Sequence, residues 1–238
     1  MCAMVLNPVM HQSPVASAPA AAELAAPQIA CVLVTPYGVP TVERLELAAS
    51  LRAQCERLTD QIVWLGQRGQ EWPDGALLDL GDCSASEAQA ACERLLTWLL
   101  AQRLIARIGI GPTETLARLV ALRAASGVVR VVEHEQARSF LQRLPVDALS
   151  GLSLEGLTPA LVARLRQDGL RTLGQVAELD ERDPLALRRQ FGAVAGARLA
   201  MIAQGNAPCP LEPTHASAAM PTRRCSSGAS QPGAARLP

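Results

Sequence analysis

The chain changes its hydrophobic period once, between Glu133 and Arg138, and no other feature limits its fold as much. Before that point short apolar runs suited to β-strands alternate with stretches of helical spacing; after it only helical spacing is found. The strand candidates are IACVLV (Ile29–Val34), IVWL (Ile62–Leu65), ALLDL (Ala76–Leu80), RIGI (Arg107–Ile110) and VVRVV (Val128–Val132). A polar turn separates IVWL from ALLDL, so these two read as a hairpin. Glu43 to Leu58 sets Leu47, Leu51, Cys55 and Leu58 on one helical face. Ser84 with Glu87 makes a capping-box pattern ahead of a helix expected over Ala88–Leu104, and Gly111-Pro112 opens another expected to reach Ala124. A sheet with helices on one face is an α+β layer.

The later segment is punctuated by turn and cap residues. Thr158-Pro159 places an N-cap before proline at the first helical position, and Asp168-Gly169 closes that helix. Thr172 and Gln175 form a second capping box; Asp183-Pro184 starts a third helix that Gly192 stops, and Ala193 to Gln204 is a fourth. Residues 1–27 and 213–238 are rich in Ala, Pro and Ser without period, and are expected to be disordered because they cannot bury enough apolar surface to offset chain entropy. The expected organisation is an α+β domain over 28–133 and a small all-α domain over 138–212.

Composition narrows the function classes. The chain is 49% hydrophobic but 3% aromatic, so its core must be built from Leu, Val and Ala. The formal charge is zero, which provides no overall field to attract a nucleic acid. Every basic side chain is arginine, a composition effect that also suits bidentate phosphate contacts. The seven cysteines are scattered and never spaced C-x-x-C, so neither a zinc site nor a disulfide framework follows, and a reducing cytoplasmic setting is expected. The apolar runs are too short for a bilayer span, and the first residues lack a signal-peptide pattern.

Few motifs carry chemistry. IGIGPTE (Ile108–Glu114) has the strand, G-x-G and helix order of a dinucleotide-binding turn, but Glu114 would repel a phosphate there. The histidines at 11, 134 and 215 are isolated; His134 reads as a solvated loop residue. Asp74, Asp79 and Asp82 cluster on the expected hairpin. Asp74 precedes Gly75 as turn chemistry would have it, and Asp79 should face away from Leu78 and Leu80. A two-metal site needs carboxylates converging from separate strands, and IACVLV supplies none. LSGLSLEGLTPALVARLRQDGL (Leu149–Leu170) reads as a glycine-bearing turn followed by a helix, similar to a helix-hairpin-helix whose amides can bind a DNA phosphate without reading sequence. Gly151, Ser153, Gly156 and Thr158 would line that turn, with Arg164, Arg166 and Arg171 beside it, although nine arginines in this segment face a similar number of acids.

Taken in order, these pieces resemble the Y-family translesion DNA polymerases. ARIGIGPTETLARLVALRAASGVVRVV (Ala106–Val132) resembles that family's last palm strand, helix and following strand; FLQRLPVDALSGL (Phe140–Leu152) resembles its palm-to-thumb junction; GLRTLGQVAELD and LRRQFGAVAGARLAMIAQG resemble the rest of the thumb. The resemblance implies a palm-like antiparallel sheet with helices, then a thumb-like helix-hairpin-helix domain. Active members carry an Asp on the first palm strand, an Asp-Glu pair before the strand matching ALLDL, and an Asn-Lys pair whose lysine meets the triphosphate. Here those pairs fall on Asp74-Gly75 and Thr113-Glu114. Losing two of three metal carboxylates and reversing the lysine's charge implies no nucleotide transfer. Pro-Asp-Gly before LLDL is similar to the ImuB-type branch, non-catalytic adaptors that act beside an error-prone polymerase in damage-induced mutagenesis. There is little room for a fingers insertion before Ile62, and low complexity replaces a little finger after Pro210, so a truncated relative is expected. The expected partners are DNA, bound weakly and without sequence preference, and mutagenesis proteins. A catalytically competent fragment, which alone would call for Mg²⁺, and a protein-interaction module without DNA contact are the alternatives.

Overall fold

A computed structural model describes residues 26–66, 72–152 and 156–205. The disorder expected for 1–25 and 213–238, and the stretch from 206 to 212, lie outside the described residues. Ala26 and Pro27, expected to be disordered, instead open the first strand, where they pair with Cys83 and Asp82.

Five strands form one sheet in the order β2-β3-β1-β4-β5: β1 (Ala26–Thr35), β2 (Ile62–Leu65), β3 (Gly75–Cys83), β4 (Ile105–Gly111) and β5 (Val129–Val131). The β2–β3, β3–β1 and β1–β4 pairs are antiparallel as expected, but β5 runs parallel to β4 and corrects the expectation at that edge. The cause is the helix between them, α3 (Glu114–Arg123), which carries the chain back so that β5 starts at the same end as β4.

The same crossover corrects a second expectation, since helices cover both faces. Ala30, Val32 and Val34 of β1, Ala76 and Leu78 of β3, and Ala106, Ile108 and Ile110 of β4 form one core with α1 (Thr41–Glu56) and α2 (Ala85–Ala101). The alternate residues Cys31 and Leu77 point the other way and meet Ala117 and Ala121 of α3. Gly109 makes this contact possible: a Cβ there would lie 2.2 Å from the Ala121 nitrogen and 2.5 Å from the Ala117 oxygen. The G-x-G of the sequence is therefore a close-packing device between strand and helix.

The caps fix where the helices begin. Ser84 and Glu87 form the reciprocal capping box, so α2 starts at Ala85, three residues earlier than expected, and it ends three residues earlier as well. β4 continues through Gly111, which moves the N-cap of α3 to Thr113, whose hydroxyl accepts from the Leu116 N–H. His134 is not in a loop; it is the first residue of α4 (His134–Gln142). A 3-10 helix (Val146–Leu152) follows, then α5 (Pro159–Gln167), α6 (Leu173–Arg182), α7 (Ala186–Phe191) and α8 (Ala193–Gln204).

These helices surround a second core that includes Leu141, Leu149, Leu165, Leu173, Leu187 and Leu199. Leu116, Leu119 and Val120 of α3 belong to it as well, so α3 faces the sheet with its alanines and the helical layer with its larger side chains. Each fully buried leucine contributes roughly 1.5–3 kcal/mol, which makes α3 the main tie between the two layers. No described helix is long and apolar enough to cross a membrane.

Candidate functional site

The sheet carries the residues at which polymerase-like chemistry would be sought. Asp74 immediately precedes β3. Its N–H donates to the Leu65 carbonyl at 2.9 Å and its carbonyl accepts from the Val34 N–H at 3.0 Å, so its backbone is held between two strands while its side chain is exposed. Gly75 pairs with Leu33 on one side and Leu65 on the other and is buried. A Cβ at Gly75 would stand 2.1 Å from the Val32 carbonyl oxygen and 3.2 Å from the Leu33 Cα. Those atoms are backbone and cannot rotate away, so the space for any side chain at position 75 is filled by β1.

Asp79 lies on β3 in register with Ile29, two residues from Leu77 and on the same side of the sheet. Its Oδ1 accepts from the Gly81 N–H at 2.9 Å, which turns the strand end. Glu114 opens α3 beside it. Burial pushes the Glu114 carboxyl up to about 7, the Asp79 charge adds to that rise, and Arg118 opposes it. The Oε2 of Glu114 is buried without a hydrogen-bond partner. Asp82 is exposed. Asp79 and Glu114 are thus neighbouring acids, but among the described residues no three His, Cys, Asp or Glu side chains gather closely enough to hold a metal ion. With Gly75 unable to carry a ligand, this donor set does not fit the Mg²⁺ centre of a nucleotidyl transferase. The described cysteines 31, 55, 83 and 92 are free thiols, and burial pushes Cys31, Cys55 and Cys92 up to about 12.

The hairpin residues have local roles. A Cβ on Gly151 would come within 2.8 Å of Leu122 Cδ1, so this glycine lets the 3-10 helix lie against α3. Ser153 lies outside the described residues. Gly156 takes φ +82°, a left-handed turn, and Thr158 caps α5 by accepting from the Leu161 N–H at 3.2 Å. Arg166 is hydrogen-bonded to Asp147, and Arg164 is 4.0 Å from Asp168 and stacks over Phe191 at 5.5 Å. Arg171 has no ion pair among the described residues; its carbonyl accepts from the Val146 N–H at 3.0 Å. Three arginines that the sequence reading passed over, Arg123, Arg130 and Arg143, also lack ion-pair partners among the described residues and line one groove. Their signal in the sequence is slight. Only Arg130, set between two valines of a strand, is marked by its period.

No family model matches the chain. It is 32% identical over 105 residues to DNA polymerase IV 2 of Mesorhizobium japonicum, a match covering 44% of this chain and 23% of that relative. It is 30% identical over 142 residues to DNA polymerase IV of Halobacterium salinarum, covering 59% of this chain and 32% of the relative. The chain therefore spans less than a third of the curated relatives it matches. Among solved structures, a ternary complex of the polymerase Dbh superposes with a TM-score of 0.57 at 17% identity, covering 72% of this chain and 48% of that one. DinB from Sulfolobus solfataricus gives the same TM-score and identity, with 73% and 48% covered. The chain is homologous in sequence to DinB-like Y-family DNA polymerases and shares the fold of their palm-containing region.

Proposed function

We propose that the chain is a non-catalytic relative of the Y-family polymerases that works in DNA repair and translesion synthesis. In this reading residues 28–133 are a reduced palm and residues 138–212 a thumb-like helix-hairpin-helix domain. It resembles the ImuB-type branch, acts in the cytoplasm, and binds DNA weakly and without sequence preference while engaging an error-prone polymerase or another mutagenesis protein. The observation that carries the reading is Gly75. The position that bears a metal-binding glutamate in active members is here occupied by the backbone of β1, with 2.1 Å between a would-be Cβ and the Val32 oxygen. A carboxylate cannot be accommodated there without moving a central strand. Glu114, where active members have a lysine for the triphosphate, is a half-buried acid that would repel the same group.

The decisive experiment is primer extension by the purified chain with Mg²⁺ and all four deoxynucleoside triphosphates. The expected result is no product above background; extension at any template-directed rate sinks the reading. DNA contact through the turn from Gly151 to Thr158 would be made by backbone amides. Arg164 and Arg166 would need to release Asp168 and Asp147 to join it. Those ion pairs also favour a second reading, in which the helical layer is a protein-interaction module without DNA contact. Binding to primer-template DNA that weakens steeply with added salt supports the first reading; no binding at low salt supports the second.

A further inference from the structure

We infer that the groove between the outer edge of the sheet and α4 binds a single-stranded nucleic-acid segment through Arg123, Arg130 and Arg143. This rests on the reading that the chain contacts DNA, and it moves the principal contact away from the arginines of the hairpin. The groove forms where the end of α3, strand β5, helix α4 and the Leu144-Pro145 turn meet, and has a volume of about 390 Å³. That is in the range of small-ligand sites.

Charge is the first argument. Three of the ten lining residues are arginine and none is acidic. All three arginines are exposed and none has an ion-pair partner among the described residues. In the helical layer Arg138, Arg164, Arg166, Arg182 and Arg189 each have a carboxylate within reach, while Arg171 and Arg188 have no ion pair among the described residues. In a chain with 22 basic and 22 acidic residues, a groove lined by three arginines and no acid is a local excess of positive charge. An excess of positive charge attracts an anion, and guanidinium forks match phosphate oxygens in pairs.

Geometry is the second argument. Arg130 lies over the Phe140 ring with 5.1 Å to its centroid, so a planar cation and an aromatic face stand together on the groove wall, both of kinds on which a base can stack. Positive walls together with aromatic and planar cationic surfaces are the recurrent means of holding a single strand without reading its sequence. Val131, Val132 and Leu144 supply apolar wall, and Gln136 and Ser139 of α4 offer hydrogen bonds to phosphate or base. The groove also continues toward the thumb-like hairpin. Pro145 bridges to Thr172, and the Val146 N–H donates to the Arg171 carbonyl, so Arg171, whose side chain has no ion pair among the described residues, stands at that end.

The test compares the intact chain with two variants, R123A/R130A/R143A and R164A/R166A. Fluorescence anisotropy reads a labelled mixed-sequence 12-nucleotide DNA, single-stranded and as duplex, across a salt series. The expected result is a loss of tenfold or more in single-strand affinity for the groove variant. Its dependence of log K on log salt should flatten by about 2, since each phosphate contact on a single strand contributes about 0.7 to that slope. The hairpin variant should change less than threefold, and R123K/R130K/R143K should retain the steep slope, which separates charge loss from misfolding. If the wild-type chain binds DNA and the groove variant binds it equally well, the groove assignment is overturned while the DNA reading stands. If the wild-type chain binds neither DNA form at low salt, both fall. Capture of polyglutamate in place of DNA, lost in the groove variant, would reassign the groove to an acidic protein partner and overturn the nucleic-acid assignment.

Discussion

The sheet and the helical layer share α3 but treat charge in opposite ways. On the sheet, the positions where chemistry would sit are closed by packing: Gly75 is pressed against β1, Gly109 against α3, and Glu114 holds a buried carboxylate oxygen with no partner. In the helical layer most charges stay at the surface and are matched, as in Arg138–Glu181, Arg182–Glu178 and Arg189–Asp183. Between them lies the groove lined by Arg123, Arg130 and Arg143, none of which has an ion-pair partner among the described residues. The contrast separates two arrangements: on the sheet the space at these positions is filled by packing, whereas the groove keeps its arginines at the surface.

The largest effect should come from placing a single methyl group where the sheet has no room. Gly75→Ala puts a Cβ 2.1 Å from a carbonyl oxygen in the neighbouring strand. β3 and β1 must separate to admit it, at a cost of about 3 kcal/mol or more, read as a fall in the urea midpoint. Gly75→Glu should lose at least as much and gain no Mg²⁺-dependent extension. A stable Gly75→Glu protein that extends a primer would show that the missing carboxylate alone separates this chain from an active enzyme.

Part of this contrast was legible in the sequence. Three helix caps were, because a cap is a local chemical fact: Ser84 with Glu87, Thr172 with Gln175, and Thr158 before Pro159 all cap as expected, although α2 starts three residues before its expected first residue and the helix expected from Asp183-Pro184 starts at Ala186. The existence of the five strands was also legible, from period and residue type. Strand direction was not. VVRVV alternates in the same way whether it runs with β4 or against it, and only the length and placement of α3 decide. The double-sided burial of α3 was hidden for a related reason, since Ala117 and Ala121 read as ordinary helix formers until a sheet is placed against them. At the candidate site the resemblance to the Y-family polymerases implied that Gly75 stands where active members carry a carboxylate. It could not see that the space itself is gone, because that depends on the register with Leu33. The groove was invisible because residues 123, 130 and 143 come from three separate elements and only folding brings them together.

A smaller effect should distinguish Glu114 from the paired acids of the helical layer. Its carboxyl is raised from an ordinary 4.5 to about 7, chiefly by burial, so the folded state holds a proton that the unfolded chain releases. Such a group gives full stability below pH 4.5 and loses it as the pH rises through 7. Glu114→Gln removes that loss. The variant's stability relative to wild type should therefore improve between pH 4.5 and 7, by on the order of 1 kcal/mol once partial exposure is allowed for. Denaturation midpoints at pH 4, 5.5, 7 and 8 would measure it. A difference that stays flat across this range means that Glu114 is solvated like any surface acid, and it then no longer sets the sheet apart from the helical layer.

The smallest effect tests the other side of the comparison. Arg182 and Glu178 are 76% and 62% exposed and separated by 3.3 Å at helical spacing. Exposed pairs of this kind are worth about 0.3–0.5 kcal/mol. Arg182→Ala should thus shift the urea midpoint barely beyond error and leave single-strand DNA affinity within twofold, because its carboxylate partner already neutralises it. The value of this near-silent variant is as a control on the groove. It removes the same number of positive charges per substitution from the same protein, so general electrostatics would predict an equal loss of binding for each arginine removed. A clear fall in affinity on Arg182→Ala would mean that DNA senses the net charge of the helical layer, and the free arginines of the groove would then have no special standing.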